Sequence, residues 1–364
     1  MVNLIKKPIG VIKAEGVGPE IIGSALAVLH EIEKIKNVKF EIIEYHGSAP
    51  AKKYSEEAYS QLKTFYRKIK SQGGCIVRGG IYARIVYQLR KDFNAIYKPI
   101  YFKPIPELFD ASLLKKDVLE KIDILLIREN TQGLLFSKEK IKKLKTGEKV
   151  LKGSFTYHEN KIKVLAELAF KEAHKRHKIL HLFIKGDVWQ GLLPLWLEIF
   201  ESVNKKYSKV KFDWDHADTA YADFLIHPSK YDVIVTLGIV GDTLTDPTAA
   251  LLYGTRAVTP SANITDDGFM TFQTIHGAST SIGGQDKANP IAMIRAIALM
   301  LNLFFEMPKE ANLIENAIRK VLAKGYRTVD IYRSNRKNNK LVGTKKITDL
   351  IIKEIALLAK HKNL

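Results

Sequence analysis

The sequence predicts an α/β fold in which buried strands alternate with helices. Its 364 residues are 46% hydrophobic, which allows a large core. Short apolar runs rich in β-branched residues, such as 231–240 (YDVIVTLGIV) and 122–127 (IDILLI), lead into glycine or charged residues. Segments with helical periodicity follow them, and this alternation is typical of a sheet covered by helices.

Composition and charge argue against several classes of protein. No run of about 18 apolar residues predicts a transmembrane helix, and residues 1–20 lack the apolar segment and cleavage site of a secretory signal. The lone cysteine, Cys75, excludes an internal disulfide and fits the reducing cytoplasm, where we expect the protein to be. The net charge of +19 comes from lysines mixed with acids and not with aromatics. This pattern favours a solvated basic face, or attraction of small anions, over nucleic-acid recognition.

Taken in order, the elements support the same class. Residues 9–20 predict a strand and a glycine turn, and a helix follows over 19–29. This turn lacks the full glycine fingerprint and the acid about 20 residues on, so it does not predict a Rossmann site. The later predictions are strands at 38–46, 73–80, 122–127 and 179–185, and helices at 55–71, 162–177, 291–305 and 343–358.

Two aspartates follow the strand at 231–240. Asp242 and Asp246 are four residues apart, so in a helix they lie one turn apart on one face, where two carboxylates can share a divalent cation. The alternative is that Asp242 is an N-cap and Asp246 a first-turn acid favoured by the helix dipole. The residues alone leave both interpretations open.

A glycine-rich segment lies downstream of the aspartates. It begins at His276-Gly277-Ala278, ends at Asn289-Pro290 and precedes a long apolar helix. Glycines let a backbone approach a phosphate or a base closely. A glycine-rich loop alone is weak evidence for a nucleotide site. The position of this loop after the aspartate pair strengthens that interpretation.

That order resembles the isocitrate and isopropylmalate dehydrogenase family, the metal-dependent β-decarboxylating dehydrogenases. The family has a strand, then Gly-Asp-x-x-Ser-Asp, then a His-Gly-(Ser/Thr)-Ala-Pro loop that ends in Asn-Pro. The resemblance covers nearly the whole chain and implies two domains with a large mixed sheet flanked by helices, not a Rossmann fold. Residues 1–98 and 258–364 would form the large, cofactor-binding domain, and 99–257 the small domain for dimerisation, metal and substrate. An arm near 138–157 would clasp the partner in a homodimer or higher homo-oligomer.

The resemblance also implies a set of cations for a substrate with several carboxylates. Arg90 and Arg128 match substrate arginines of the family. Lys98 stands where a further arginine belongs, and it keeps the charge but loses the bidentate fork. From the residues alone, Arg84, Arg90 and Lys98 are equally well ordinary surface charges.

Four positions depart from the family pattern or carry its chemistry. The Arg-Glu-Asn-Thr-Glu-Gly-x-Tyr segment of the family ends in a tyrosine that protonates the enolate left after decarboxylation, and Leu135 occupies that position. Lys185 matches the lysine that assists removal of the substrate hydroxyl proton, or is an ordinary lysine at a strand end. Asp187 replaces an asparagine and would keep Lys185 protonated. Gln273 replaces a glutamate.

A metal and a dinucleotide are implied as well. Asp218, from a neighbouring subunit, would join Asp242 and Asp246, and this oxygen-only ligation suits Mg²⁺ or Mn²⁺. Lys185 and Asp218 would be the catalytic residues. The cofactor would be NAD or NADP, and we favour NADP because Arg333 falls near the arginine that binds the 2′-phosphate in NADP-dependent isocitrate enzymes. The expected cofactor-binding residues are His276, Gly277, Ala278, Ser281, Ile282, Asn289, Asp330 and Arg333.

The sequence therefore predicts an NAD(P)- and Mg²⁺/Mn²⁺-dependent enzyme acting on a 2-hydroxy acid with a 3-carboxylate, resembling isocitrate or isopropylmalate, by oxidation followed by decarboxylation. Because leucine has no proton to donate, another acid or water replaces the tyrosine, the product differs, or the chain is a catalytically impaired or regulatory paralogue. Nucleic-acid binding is a third hypothesis, which strongly salt-dependent retention on a polyanion would distinguish.

Overall fold

A mixed sheet of ten strands forms the frame of the molecule. The computed structural model describes residues 3–361. Its strands are β1 (Asn3–Ile12), β2 (Val38–Glu44), β3 (Cys75–Arg78), β4 (Tyr97–Phe102), β5 (Ile124–Glu129), β6 (Lys138–Lys143), β7 (Lys149–Ser154), β8 (Ile179–Ile184), β9 (Lys211–His216), β10 (Val233–Thr236), β11 (Pro260–Ile264), β12 (Met270–Thr274), β13 (Tyr326–Arg327) and β14 (Lys340–Leu341). β6 and β7 form a separate exposed hairpin, and β13 pairs with β14.

Helices cover this sheet. They are α1 (Gly18–Lys36), α2 (Glu56–Ser71), α3 (Ala83–Asp92), α4 (Lys116–Leu119), α5 (Glu159–Lys175), α6 (Leu192–Asn204), α7 (Ala217–Ile226), α8 (Gly238–Tyr253), α9 (Ile291–Leu303), α10 (Pro308–Ala323) and α11 (Thr344–His361). α1, α9, α10 and α11 pack against one another, and α9 also contacts β11 and β12. α5 packs on α6, β8 and β10, while α2 packs on β1 and β3.

The sheet consists of two parallel blocks that run in opposite directions. The strand order is β2-β1-β3-β12-β11-β4-β5-β10-β8-β9. The strands of the first block, β2 to β12, are parallel, as are those of the second block, β5 to β9. The intervening β11 and β4 pair antiparallel with each other and with their outer neighbours. The predicted α/β class with a large mixed sheet is therefore confirmed.

The second block brings the candidate side chains to one edge of the sheet. Because β5, β10, β8 and β9 are parallel, their carboxyl ends meet at the same edge, which is where α/β proteins place ligands. Arg128 is the second-to-last residue of β5, and Lys185 follows β8 directly. Asp218 lies in the first turn of α7 after β9, and Asp242 lies in α8 after β10.

One local prediction about α8 is wrong. The helix begins at Gly238, with Leu237 as its N-cap residue, so Asp242 is not an N-cap and Asp246 is not in the first turn. The prediction that both aspartates share one helix is confirmed. Within residues 3–361, no helix is both long and apolar enough to cross a membrane.

Candidate active site

The first cluster of the candidate site joins α3, β5 and α8. Arg128, which is 1% exposed, forms an ion pair with Asp242 through Nη1. Its Nη2 donates to the hydroxyl of Tyr87 at 3.1 Å, and that hydroxyl lies 3.4 Å from Oδ2 of Asp242. A carboxylate, a guanidinium and a phenol therefore converge at the carboxyl edge of the sheet.

Two further buried cations lie beside this cluster. Arg90 and Lys98 are 7% and 5% exposed, compared with 1% for Arg128. Burial, together with the charges of its arginine neighbours, lowers the pKa of Arg90 to about 9 and holds that of Lys98 well below its usual value. In the part of the chain that the structure describes, Nε and Nη1 of Arg90 lack a hydrogen-bond partner, and no carboxylate lies within ion-pair distance of Lys98. The arrangement fits an anionic ligand whose carboxylates would complete it.

The nearby Glu129 does not compensate these cations. Its Oε1 accepts from the backbone N–H of Thr131 at 2.7 Å and of Gln132 at 2.9 Å. Burial raises the pKa of Glu129 to about 7. The carboxyl group thus caps the turn after β5 and leaves the positive potential for a ligand.

A prediction follows for Lys98. Replacing it with methionine is expected to stabilise the free protein by roughly 1–3 kcal/mol, because burial penalises its ammonium form, and to raise KM for the substrate. Since the folded-state pKa is below the unfolded value, folding releases a proton, and wild-type stability rises with pH toward the unfolded pKa. The gain in Lys98→Met should therefore be larger at pH 6 than at pH 9 in chemical denaturation.

The exposed Lys121 provides the control, since Lys121→Met should change stability by less than about 0.5 kcal/mol at either pH. A Lys98→Met protein that is less stable at pH 6 than the wild type would contradict the prediction.

The second cluster lies at the ends of β8 and β9. Nζ of Lys185 lies 2.8 Å from Asp187 and 3.2 Å from Asp218. The Asp187 carboxylate is the main cause of the raised pKa of Lys185, with Asp218 adding to it. The structure thus brings Lys185 to Asp218, the aspartate with which the sequence analysis grouped it. Asp187 favours the protonated amine of Lys185.

The aspartates supply suitable donors for a hard cation but do not converge within one chain. Asp218, Asp242 and Asp246 are 67%, 45% and 42% exposed, so their oxygens are accessible. Carboxylate oxygens alone are the donor set that suits Mg²⁺ or Mn²⁺. Among residues 3–361 of a single chain, no three His, Cys, Asp or Glu side chains form a metal-binding group. Asp242 and Asp246 instead pair with Arg128 and Arg256.

A cavity beside His276 adjoins α8 through Arg256. Arg256 pairs with Asp246 and also lines this cavity of about 170 Å³, together with His276, Asn289 and Asp330. The volume is below the 300–1,000 Å³ typical of ligand pockets, so the cavity could hold only one part of a dinucleotide.

The protonation of His276 gives the cavity a hydrogen-bond acceptor. Its Nδ1 lies 2.9 Å from the carbonyl oxygen of Gly277, which can only accept, so Nδ1 carries the proton. Burial lowers the pKa of His276 and keeps the ring neutral. Nε2 is then a buried acceptor without a partner in the described residues, which suits the amino group of an adenine.

The remaining predicted cofactor residues occupy different environments. Asn289 and Thr255 both donate to Oδ2 of Asp330, at 3.1 and 2.7 Å. Ile282 lines the cavity, and Ser281 is exposed. The backbone N–H of Val17 donates to the carbonyl oxygen of Ala278, which holds the Gly277-Ala278 backbone in place. Arg333 donates to the carbonyl oxygens of Asp330, Tyr332 and Ala111, so a 2′-phosphate would have to compete with three backbone acceptors for it.

Sequence reasoning missed two residues of the site. Tyr87 lies three residues before Arg90, and this helical spacing could have indicated that both face the same space. Arg256 gave no such signal, because it follows the helix of Asp246 in a loop and meets it only after the chain turns back.

A larger cavity lies away from these clusters. It measures about 720 Å³ and is bordered by residues 103–109, α4 and α10. Its arginines are neutralised, since Arg295 pairs with Glu315 and Arg319 with Glu107. Size alone therefore does not identify the site, and the uncompensated cations lie beside Asp242.

Comparisons with known proteins give a consistent result for the whole chain. The model of the family described as isocitrate/isopropylmalate dehydrogenase matches residues 8–351. The chain is 32% identical over 361 residues to 3-isopropylmalate dehydrogenase of Clostridium acetobutylicum, which covers 95% of this chain and 99% of that protein. It is 31% identical over 366 residues to 3-isopropylmalate dehydrogenase of Aquifex aeolicus, covering 97% and 98%. The crystal structure of isocitrate dehydrogenase from Methylococcus capsulatus has the same fold, with a TM-score of 0.79 at 23% identity over 96% of this chain and 99% of that one.

Proposed function

Because the chain belongs to the isocitrate/isopropylmalate dehydrogenase family, we propose that it oxidises a 2-hydroxy acid bearing a 3-carboxylate and then decarboxylates it. The reaction would use NAD or NADP together with Mg²⁺ or Mn²⁺. The observation that carries this proposal is the group of buried, uncompensated cations beside Asp242, since a substrate with two or more carboxylates would neutralise them.

The chain's own residues would bind and orient the substrate. Arg90, Lys98 and Arg128 would hold its carboxylates, and Arg128 would exchange its contact with Asp242 for a substrate oxygen. Lys185 would take the proton of the substrate hydroxyl, which requires the amine to lose the proton that Asp187 favours. When bound, the nicotinamide would supply the hydride acceptor, and a divalent cation held by Asp218, Asp242 and Asp246 would offset negative charge on the substrate oxygen.

The dinucleotide would lie with its adenine beside Nε2 of His276 and its ribose near Asp330 and Asn289. NADP would be the preferred cofactor because of the position of Arg333. NAD is the alternative, because the guanidinium of Arg333 already donates to backbone carbonyls. A comparison of kcat/KM for the two cofactors decides between them.

The site would be completed by a second copy of the chain. Asp218 and Lys185 of one subunit would join Asp242, Asp246 and Arg128 of another, which agrees with the separation of the carboxylates in one chain. The β6–β7 hairpin supports an interface, because Ile141 and Leu151 are 68% and 61% exposed there. We keep the proposed domains, 1–98 with 258–364 and 99–257, and a cytoplasmic location.

The second candidate function is a regulatory or impaired paralogue that binds ligand without turnover. Leu135 favours it, because the hydroxyl expected at that position is missing. Lys98 and Asp187 also alter the charges around the substrate.

The test is cofactor reduction with Mn²⁺, each nicotinamide and a panel of isocitrate, isopropylmalate, malate, tartrate and homoisocitrate. We expect turnover with a hydroxy acid that carries a 3-carboxylate, and loss of turnover after chelation of the metal. Binding of metal and cofactor without reduction by any substrate would favour the paralogue.

A further inference from the structure

The hydroxyl of Tyr87 is held at the centre of the candidate site. Tyr87 lies on α3, three residues before Arg90, whose guanidinium lies 4.8 Å from the centre of its ring. The hydroxyl accepts from Arg128 Nη2 at 3.1 Å and donates to Oδ2 of Asp242 at 3.4 Å. The ring packs edge-on against Phe136, with the centroids 5.5 Å apart. These contacts hold the ring in place and put its hydroxyl beside Asp242.

The proposed reaction requires a proton at this place. Loss of CO₂ from a 3-carboxy-2-oxo acid leaves an enolate whose C3 must gain a proton before the product is complete. Leu135 cannot provide it. Its Cδ1 lies 3.3 Å from the position of a Cβ on Gly238, at the start of α8, and its neighbour Phe136 contacts Tyr87. Gly238 lies one turn before Asp242 on α8, so Leu135 and the Tyr87 hydroxyl lie against neighbouring turns of the same helix, and Tyr87 carries an O–H group.

We propose that Tyr87 donates the proton that completes decarboxylation, in place of a donor at position 135; this inference rests on the proposed function. When the bond between C3 and the carboxylate breaks, its electron pair forms the C2–C3 double bond, and the C2 carbonyl becomes an enolate oxygen. The double-bond pair then takes the proton of the Tyr87 hydroxyl, the C3–H bond forms and the carbonyl returns. The phenolate regains a proton from water.

The surroundings of Tyr87 suit this step better than those of the other tyrosines near the site. Arg128 already donates to the phenol oxygen and would stabilise the phenolate as it forms. The hydroxyl of Tyr221 is engaged by the carbonyl of Val240 and by Thr243. Tyr157 packs with Trp196 and its hydroxyl lies against Gly133.

The decisive variant is Tyr87→Phe, assayed with the hydroxy acid that the wild type turns over. We expect kcat to fall roughly 100-fold or more, while KM changes by less than about threefold. Hydride transfer precedes decarboxylation, so rapid mixing should still show a burst of one reduced nicotinamide per site. A purely structural defect would slow the burst as well.

A phenol introduced at position 135 should restore activity to the Tyr87→Phe enzyme. In the double variant Tyr87→Phe/Leu135→Tyr, kcat should recover at least about tenfold over Tyr87→Phe, since a hydroxyl again borders the same space. Tyr59→Phe is the matched control, because the Tyr59 hydroxyl, like that of Tyr87, contacts an aspartate. That aspartate is Asp92, which lies outside the site. Its kcat should equal that of the wild type.

A readout independent of turnover uses ¹³C-labelled tyrosine. The ring-carbon resonance assigned through Tyr87→Phe should shift when oxalate, a planar enolate analogue, is added with Mg²⁺, and the Tyr59 resonance should not. The inference alone is overturned if Tyr87→Phe keeps the wild-type kcat or loses the burst. It is also overturned if the double variant shows no rescue, or if the Tyr87 resonance does not shift. A wild type that reduces neither cofactor overturns the proposed function and the inference with it.

Discussion

Asp242→Asn is expected to lower kcat/KM about 1,000-fold, which corresponds to about 4 kcal/mol of transition-state stabilisation. It should also weaken Mn²⁺ binding at least as much as the roughly 10–100-fold typical of a lost supporting residue. The reason is that an amide keeps the size of Asp242 but removes the negative charge that would hold the cation. Titration calorimetry with Mn²⁺ and steady-state kinetics with the substrate found in the panel measure the two effects.

Stability must be separated from this loss. Asp242 pairs with the buried Arg128, so the substitution should also cost roughly 1–3 kcal/mol, as the loss of a partner from a buried charged group does. The exposed Asp349 on α11 gives the matched control, and Asp349→Asn should change neither property. Unchanged Mn²⁺ affinity in a folded Asp242→Asn protein would exclude Asp242 as a metal ligand.

The start of α8 explains why the N-cap interpretation was wrong. Glycine costs about 1 kcal/mol in a helix interior, so Gly238 and Gly241 favoured a turn before Asp242. Both glycines lie inside the helix because α8 approaches β5 closely. A Cβ on Gly238 would lie 3.1 Å from the Glu129 carbonyl, and one on Gly241 would lie 3.0 Å from Cγ of Arg128. This tertiary requirement overrides the local preference and cannot be seen in the segment alone.

Motif order was sufficient for the family and the fold. The predicted family, its enzymatic class and the mixed α/β sheet are confirmed, because each rests on short motifs and on their order along the chain. The contact of Tyr87 with Arg128 depends on how α3 is oriented over the end of β5, between residues that are 41 positions apart. No local pattern encodes that orientation, so the structure was needed to find it.

A shared site predicts complementation between two inactive proteins. Asp218→Asn and Asp242→Asn should each be inactive as homodimers. When the two chains are co-expressed with different affinity tags and purified through both, one of the two sites in each mixed dimer contains both native aspartates. We therefore expect about half of the wild-type activity in the doubly tagged dimer.

The reciprocal arrangement makes the result unambiguous. If one chain carries both substitutions and its partner is wild type, every shared site loses one aspartate and the mixed dimer should be inactive. Sites formed within one chain would give the opposite outcomes, because the wild-type partner would then keep about half of the activity and the first mixture would have none. Since Asp218 lies with Lys185 while Asp242 pairs with Arg128, the two aspartates belong to different clusters in one chain, and the proposed dimer would unite them across its interface.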